Sequence, residues 1–224
     1  MKRVYLLFSL MLSGMVSVLA QNNAIPENEK TAYLKVITQR ADKIAAALNI
    51  NDVAKQEKVR DIIRNQYSDL NDIYTERDAN LKSIKEVNSG DKVATEAAIK
   101  EVSTKTDAKL AKLHEKYLSK LSSNLSTEQV DQVKNGMTYN VLTITYKAYQ
   151  EQILTLNDEQ KKQILTWLTE AREHAIDAES SDKKHAWFGK YKGRINNYLS
   201  AAGYDLKKEG QEWEKRRQAS AKGN

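Results

Sequence analysis

Apolar residues recur at steps of three and four from Asp52 to Leu121, which is the spacing of one face of an α-helix. The clearest turn signal of the chain, the run Asn-Ser-Gly-Asp at 88–91, interrupts this repeat. A narrow apolar seam of this kind packs against a neighbouring helix. We therefore expect two long helices, Asp52–Val87 and Asp91–Leu121, that fold back on each other as an antiparallel hairpin.

The rest of the chain carries the same helical spacing. One Pro and eight Gly among 224 residues leave little material for the turns of a β-fold. The predicted fold class is all-α, a long antiparallel helical hairpin packed on a C-terminal helical bundle. We expect one domain over residues 21–218, divided into 21–122 and 123–218, followed by a disordered basic tail at 219–224. Further helices are predicted at Glu27–Leu48, Asn157–Ala178, Ser181–Ala202 and Asp205–Arg217.

One segment, Tyr139–Tyr149, is ambiguous between strand and helix. Its β-branched residues alternate as in a strand, but no second strand is visible to pair with it, which favours a helix. Two helix starts carry the spacing of a capping box, in which a short polar side chain and a Gln three residues later bond each other's backbone. These pairs are Ser126 with Gln129 and Asn157 with Gln160.

The first twenty residues are typical of a removable signal peptide. Lys2 and Arg3 precede an apolar run that is too short to span a membrane. The run is followed by the small residues that a signal peptidase selects, which end at Ala20. The chain has no Cys, so we expect neither a lipid anchor nor a disulfide. We expect an exported protein of the periplasm or cell exterior. Its net charge falls from +6 to +4 once residues 1–20 are removed, and nucleic acid is not an expected partner.

The segment from Ser181 to Tyr204 has the densest aromatic and basic content of the chain. Wound as a helix, it places aromatic residues on one face, with basic and amide side chains beside them. Such rings stack on sugars while the polar groups donate to hydroxyls or to a uronate carboxylate. This pattern predicts a site for a neutral or acidic glycan, or for an acidic peptide. The candidate ligand-binding residues are Trp187, Lys190, Tyr191, Arg194, Asn197, Tyr198 and Tyr204.

One alternative for this segment stays open, that its aromatic residues are core. Aromatic residues at helical spacing are commonly core, and an inward Trp187 would make most of these residues structural. Gly189 and Gly193 lie one turn apart on the opposite side, where backbone could approach another surface closely.

Few residues of the chain have the spacing of a catalytic or metal-binding motif. Glu170, His174 and Asp177 share a helix face, and His185 could approach them, but a charged surface helix produces such a set easily. The chain lacks a nucleophile elbow, a phosphate-binding Gly-rich loop and a His/Cys dyad. We expect no metal, no cofactor and no catalytic residue. A sugar-processing enzyme is the minority interpretation, with Glu170, Glu173 and Asp177 as its candidate carboxylates.

The C-terminal part, above all WLTEAREHAIDAESSDKKHAWFGKYKGRINNYLSAAGYDLKKEGQEWEKR, resembles a family of exported Bacteroidetes proteins. This is domain-of-unknown-function family 3826, for which a sugar-binding role has been suggested. The resemblance extends over nearly all of the chain after residue 20. It implies a helical protein of the periplasm or surface, associated with the use of polysaccharides, and it assigns no site residues.

A second resemblance concerns two short phrases, LSTEQ at Leu125 and LNDEQ at Leu156. They are similar to the Leu-Thr-x-x-Gln motif of the small periplasmic chaperones related to Spy and CpxP, with Ser126 and Asn157 in place of the motif's Thr. This implies a rival function, holding unfolded chains on a concave basic surface. For either function we expect a monomer or a weakly associating protein without a membrane anchor.

Overall fold

The computed structural model describes residues 27–88 and 90–222. Within them the chain forms eight α-helices and no strand, which confirms the all-α prediction. The predicted signal peptide lies outside the described residues. The helices are α1 Glu27–Ala46, α2 Val53–Val87, α3 Lys92–Ser122, α4 Thr127–Met137, α5 Val141–Gln152, α6 Asp158–Ile176, α7 Ser181–Ala201 and α8 Leu206–Lys222.

Helices α2 and α3 form the predicted hairpin. Each begins after an aspartate whose carboxylate accepts from a first-turn amide, Asp52 from Lys55 and Asp91 from Ala94. The residues that the hairpin buries lie in the first half of α2 and, from Thr106 onward, in α3. The distal half of the hairpin therefore projects from the body of the protein.

The base of the hairpin belongs to a first hydrophobic core that it shares with α1 and α4. Tyr117 is 2% exposed there, and its hydroxyl donates to Met137 Sδ at 3.0 Å. Helices α1 and α4 approach closely at Gly136, where an added Cβ would lie 2.9 Å from Ile44 Cγ1. A glycine is needed at this position because of the crossing rather than because of its backbone angles.

A second core joins α5, α6 and α7. Helix α6 contributes Ile164, Leu168 and Ala171, and α7 contributes Phe188 and Ile195. Both predicted capping boxes are present, Ser126 with Gln129 at α4 and Asn157 with Gln160 at α6. Helix α8 packs on the end of α5, where Arg216 Nη2 donates to the Glu151 carbonyl at 2.8 Å.

Three local expectations need correction. The segment from Tyr139 is helical only from Val141, because Tyr139 and Asn140 adopt left-handed φ angles of 59° and 56° and form a turn between α4 and α5. Helix α8 continues to Lys222, so residues 219–222 are helical rather than a disordered tail. The close backbone approach expected at Gly189 and Gly193 does not occur, since both are exposed and a Cβ at either would meet no atom within 4 Å.

Helices α6 and α7 are joined by a short connection, Asp177–Ser180. Ser180 caps α7 by accepting from the Lys183 amide, and Gly203 ends it with a φ of 94°. The Lys184 side chain, which is 5% exposed, donates to the Ala175 and Ile176 carbonyls at 2.9 and 2.8 Å. The first turn of α7 therefore caps the last turn of α6, which fixes the position of Asp177. No helix of the described residues has the length and apolar character needed to cross a membrane.

Candidate functional site

Six aromatic and basic side chains of α6 and α7 form a row along the outer surface of this helix pair. We call this row the aromatic ladder. It comprises Trp167 and His174 from α6 with Trp187, Tyr191, Arg194 and Tyr198 from α7. Helices α6 and α7 pack against each other, and each buries one face in the second core. The ladder lies beside these buried faces, on the outer surface of the pair.

One end of the ladder is centred on Trp187. The His174 ring stacks on it with a centroid distance of 4.3 Å and an interplanar angle of 16°. Lys190 Nζ lies 5.2 Å from the centroid of the same indole, within reach of a cation–π interaction. The centroid of the Tyr191 ring lies 6.3 Å from that of His174. Burial raises the pKa of the Tyr191 phenol, and Glu170 adds a smaller effect in the same direction.

The other end is centred on Trp167. The Arg194 guanidinium lies 4.4 Å from the centroid of its ring, and Arg194 Nη1 lies 3.6 Å from Glu170 Oε2. Tyr198 meets Trp167 edge to face at 5.3 Å. The Arg194 guanidinium therefore lies between a carboxylate and an indole.

The side chains of this surface are partly core and partly exposed. The four large rings, Trp167, Trp187, Tyr191 and Tyr198, are half-buried and pack against the second core. His174, Lys190 and Arg194 are exposed. The rings therefore contribute to stability with one edge and leave the other edge available to solvent.

Two predicted site residues stand apart from the ladder's ring contacts. Asn197 is exposed on α7. The Tyr204 hydroxyl donates to the Thr155 carbonyl at 3.1 Å and lies 3.0 Å from Gln160 Oε1. Tyr204 thus anchors the end of α7 to the start of α6, which is a structural role.

A cleft of about 610 Å³ opens at the Trp187 end of the ladder. We call it the hairpin cleft, because the hairpin forms one wall while α6, its connection to α7 and the start of α7 form the other. Its volume falls within the range of small-ligand sites. The lining residues are Tyr74, Arg77, Asp107, Leu110, Ala111, His114, Glu115, Glu173, His174, Asp177, Ala178, Glu179, Lys183 and Trp187.

Asp177 connects the two walls of the hairpin cleft. His114 Nδ1 lies 2.6 Å from Asp177 Oδ2, and since a carboxylate only accepts, this nitrogen carries a proton. Gln66 Nε2 donates to Asp177 Oδ1 at 3.3 Å, and the Tyr74 hydroxyl donates to the Asp177 carbonyl at 2.8 Å. The hydrogen bond with Asp177 raises the pKa of His114 above its usual value, although burial opposes this.

A second link between the walls involves Arg77. Its guanidinium forms ion pairs with Glu179 and with Asp78, and it lies 4.6 Å from the centroid of the Tyr74 ring. Burial raises the pKa of Tyr74 to about 12, with Glu179 and Asp177 adding to the effect. We call the bonds from Asp177 and Glu179 to the hairpin the hairpin clasp.

The carboxylate of Glu173 is held from the side of α4. Lys134 Nζ lies 2.9 Å from Glu173 Oε2, and Arg172 Nη2 lies 3.2 Å from Oε1. Arg172 is 5% exposed and also bonds Asp131 and Asn135, so this network fixes α6 on α4. Both Glu173 and Asp177 are therefore engaged by basic side chains, which does not favour the pair as acid and base of a sugar-processing enzyme.

The residues that could have formed a metal site have separate partners. Glu170 pairs with Arg194, His174 stacks on Trp187 and Asp177 bonds His114. His185 stacks on Tyr139 at 5.5 Å instead. Within residues 27–88 and 90–222 no three His, Asp or Glu side chains are arranged to hold a metal ion.

Sequence reasoning missed the hairpin wall of the cleft. Tyr74, Arg77 and His114 lie on helices predicted only to pack, and nothing in their local spacing connects them with Asp177. The available signal was indirect, since His114 is one of three histidines in the chain.

The comparisons with known proteins establish the family alone. No curated protein matches the chain. The model of one protein family, described as proteins of unknown function, matches residues 34–219. This span covers all eight helices in whole or in part, the aromatic ladder and the hairpin cleft. The chain therefore belongs to the DUF3826 family.

Proposed function

We propose that the protein is an exported, non-catalytic carbohydrate-binding protein that binds a polysaccharide along the aromatic ladder. The observation that carries this proposal is the row of half-exposed rings on α6 and α7 with cationic side chains over them. Export rests on the signal-peptide pattern of Met1 to Ala20.

The chemistry of the ladder suits a sugar chain. The exposed parts of the indole and phenol rings provide apolar surface against which the C–H groups of a pyranose can pack. Because the rings are half-buried, little side-chain freedom is lost on binding. Lys190 and Arg194 can donate to hydroxyls, and Glu170 can accept from them. Both polarities of hydrogen bond are thus available beside an apolar strip.

The ladder is also long enough for more than one sugar unit. Trp187 and Tyr198 are eleven residues apart on α7, which corresponds to about 16 Å along the helix axis. A linear strip of rings favours an extended chain over a compact ligand. Polysaccharide therefore fits this surface better than a monosaccharide does.

The experiment is retention of the chain from Gln21 to Asn224 in affinity gels that contain xylan, mannan, arabinan, galactan or polygalacturonate. We expect retention by one polymer class, and loss of most of it in Trp187→Ala and in Arg194→Ala. Matched controls are Trp213→Ala and Arg217→Ala, because Arg217 lies 5.1 Å from the Trp213 ring on α8, away from the ladder. If Trp187→Ala and Arg194→Ala fold normally and retain wild-type binding, the site assignment is wrong.

A chaperone-like function is the second candidate. The projecting half of the hairpin favours it, because Val87 and Val93 are 78% and 79% exposed near its tip. An unfolded chain would bind such apolar surface without preference among polymers. Suppression of client aggregation by the same protein sample, with no retention in any gel, would support this function and exclude the first.

A further inference from the structure

The aromatic ladder ends at the hairpin cleft. His174 and Trp187 belong to the ladder and also line the cleft. Beyond them the hairpin contributes Tyr74, Leu110 and His114 to the opposite wall of the cleft. A polymer lying on the ladder would therefore meet a wall at this end instead of continuing over the surface.

We propose that the hairpin cleft is a subsite for the terminal sugar of the bound chain, so that the protein recognises chain ends. This inference rests on the proposed function. A terminal sugar carries a hydroxyl that an internal unit has lost to the glycosidic bond. The cleft offers additional hydrogen-bonding groups at the place where that hydroxyl would lie.

His114 is the central polar group of this subsite. Its Nδ1 is committed to Asp177, which fixes the orientation of the ring and leaves Nε2 as the nitrogen that can bond a sugar hydroxyl. The Asp177 side chain is in turn fixed by Gln66. Lys183 is exposed at the rim and can donate to a second hydroxyl.

The charge of the cleft defines the class of terminal sugar. Five carboxylate residues line it, and three of them are held by basic side chains: Glu173 by Lys134, Asp177 by His114 and Glu179 by Arg77. The other two, Asp107 and Glu115, face one further lining cation, Lys183. Carboxylates accept from neutral hydroxyls and repel an anionic uronate. The expected terminal unit is therefore a neutral sugar. The five are Asp107, Glu115, Glu173, Asp177 and Glu179.

The first variant of the test fills the cleft and leaves the residues of the hairpin clasp unchanged. Ala111 is exposed on α3 and lines the cleft, so Ala111→Leu adds bulk there with a residue of high helix propensity. Ala108→Leu, three residues earlier and also exposed, lies outside the lining of the hairpin cleft and is the matched control. His114→Gln removes the imidazole together with its bond to Asp177, and Tyr198→Ala changes the far end of the ladder.

The probes are the mono- to hexasaccharides of whichever neutral polymer the wild type retains, measured by titration calorimetry. We expect His114→Gln to weaken binding of the mono- and disaccharide by about tenfold, which is the effect of losing one hydrogen bond. Ala111→Leu should weaken it by at least as much, because its side chain occupies the cleft. Ala108→Leu should bind these short sugars as the wild type does. Tyr198→Ala should weaken binding of the longer sugars more than binding of the short ones.

Two results would overturn the terminal subsite while leaving the proposed function intact. One is retention of the polymer with no binding of its mono- or disaccharide. The other is wild-type affinity of Ala111→Leu for every oligosaccharide. If no polymer is retained at all, the proposed function fails and the terminal subsite fails with it.

Discussion

His114 Nδ1 lies 2.6 Å from Asp177 Oδ2, a contact that joins the C-terminal half of α3 to the end of α6 across 63 residues of sequence. Both side chains are largely buried, with 24% and 17% of their surfaces exposed. The pair links the two walls of the hairpin cleft. Its strength therefore affects both the stability of the fold and the shape of the proposed subsite.

The first prediction concerns pH. The bond to Asp177 raises the folded-state pKa of His114 above the ordinary 6.5. The charge of Glu173 also raises this pKa, and the charge of Lys134 lowers it. The stabilisation that the protonated His114 ring gains from Asp177 is therefore complete below pH 6.5, and it is lost as pH rises through the folded-state pKa. The difference in urea midpoint between the wild type and His114→Gln should narrow from pH 6 toward pH 9. A constant or widening difference would contradict this assignment.

The second prediction is energetic coupling between the two residues. A double-mutant cycle of His114→Ala and Asp177→Ala should give an interaction free energy of about 1–3 kcal/mol, since each single change leaves a partly buried polar partner without its bond. The measurement is urea unfolding at pH 6. A control cycle pairs Asp177→Ala with Glu115→Ala, a change at an exposed neighbour of His114. Its interaction free energy should be near zero. Equal coupling in both cycles would mean that the bond does not persist in solution.

The third prediction concerns Lys184. Burial lowers its pKa from 10.5 to about 8 in the folded protein. The unfolded chain therefore binds more protons between these pH values, so the stability of the wild type rises with pH across this window. Relative to Lys184→Met, the free energy of unfolding should rise by up to about 3 kcal/mol from pH 8 to pH 10.5. Lys183→Met, at an exposed position, is the control and should show no such trend.

The fourth prediction separates two kinds of glycine. Gly189→Ala and Gly193→Ala should each stabilise the protein by about 0.5–1 kcal/mol, because both sites are helical, exposed and unobstructed. Gly136→Ala should instead destabilise it by about 1–3 kcal/mol, since the new methyl would lie 2.9 Å from Ile44 Cγ1. Thermal unfolding of the three variants checks the signs. Stabilisation by Gly136→Ala would show that α1 and α4 do not cross this closely.

The features that the sequence alone determined are local. The capping boxes at Ser126 and Asn157 depend on residues three positions apart, so spacing was sufficient to predict them. The shared face of Trp187, Tyr191 and Tyr198 follows equally from the helical period.

The tertiary structure decided everything that depends on residues far apart in the chain. The sequence could not tell whether the ladder rings were core or surface, because that depends on how Trp167 and His174 of α6 align with α7. The glycine that permits close packing is Gly136, and the contact that requires it comes from Ile44 on another helix. The hairpin cleft exists because α2 and α3 bring Tyr74, Arg77 and His114 to Asp177 and Glu179. Helical period fixes which residues share a face, but long-range packing alone selects which faces meet.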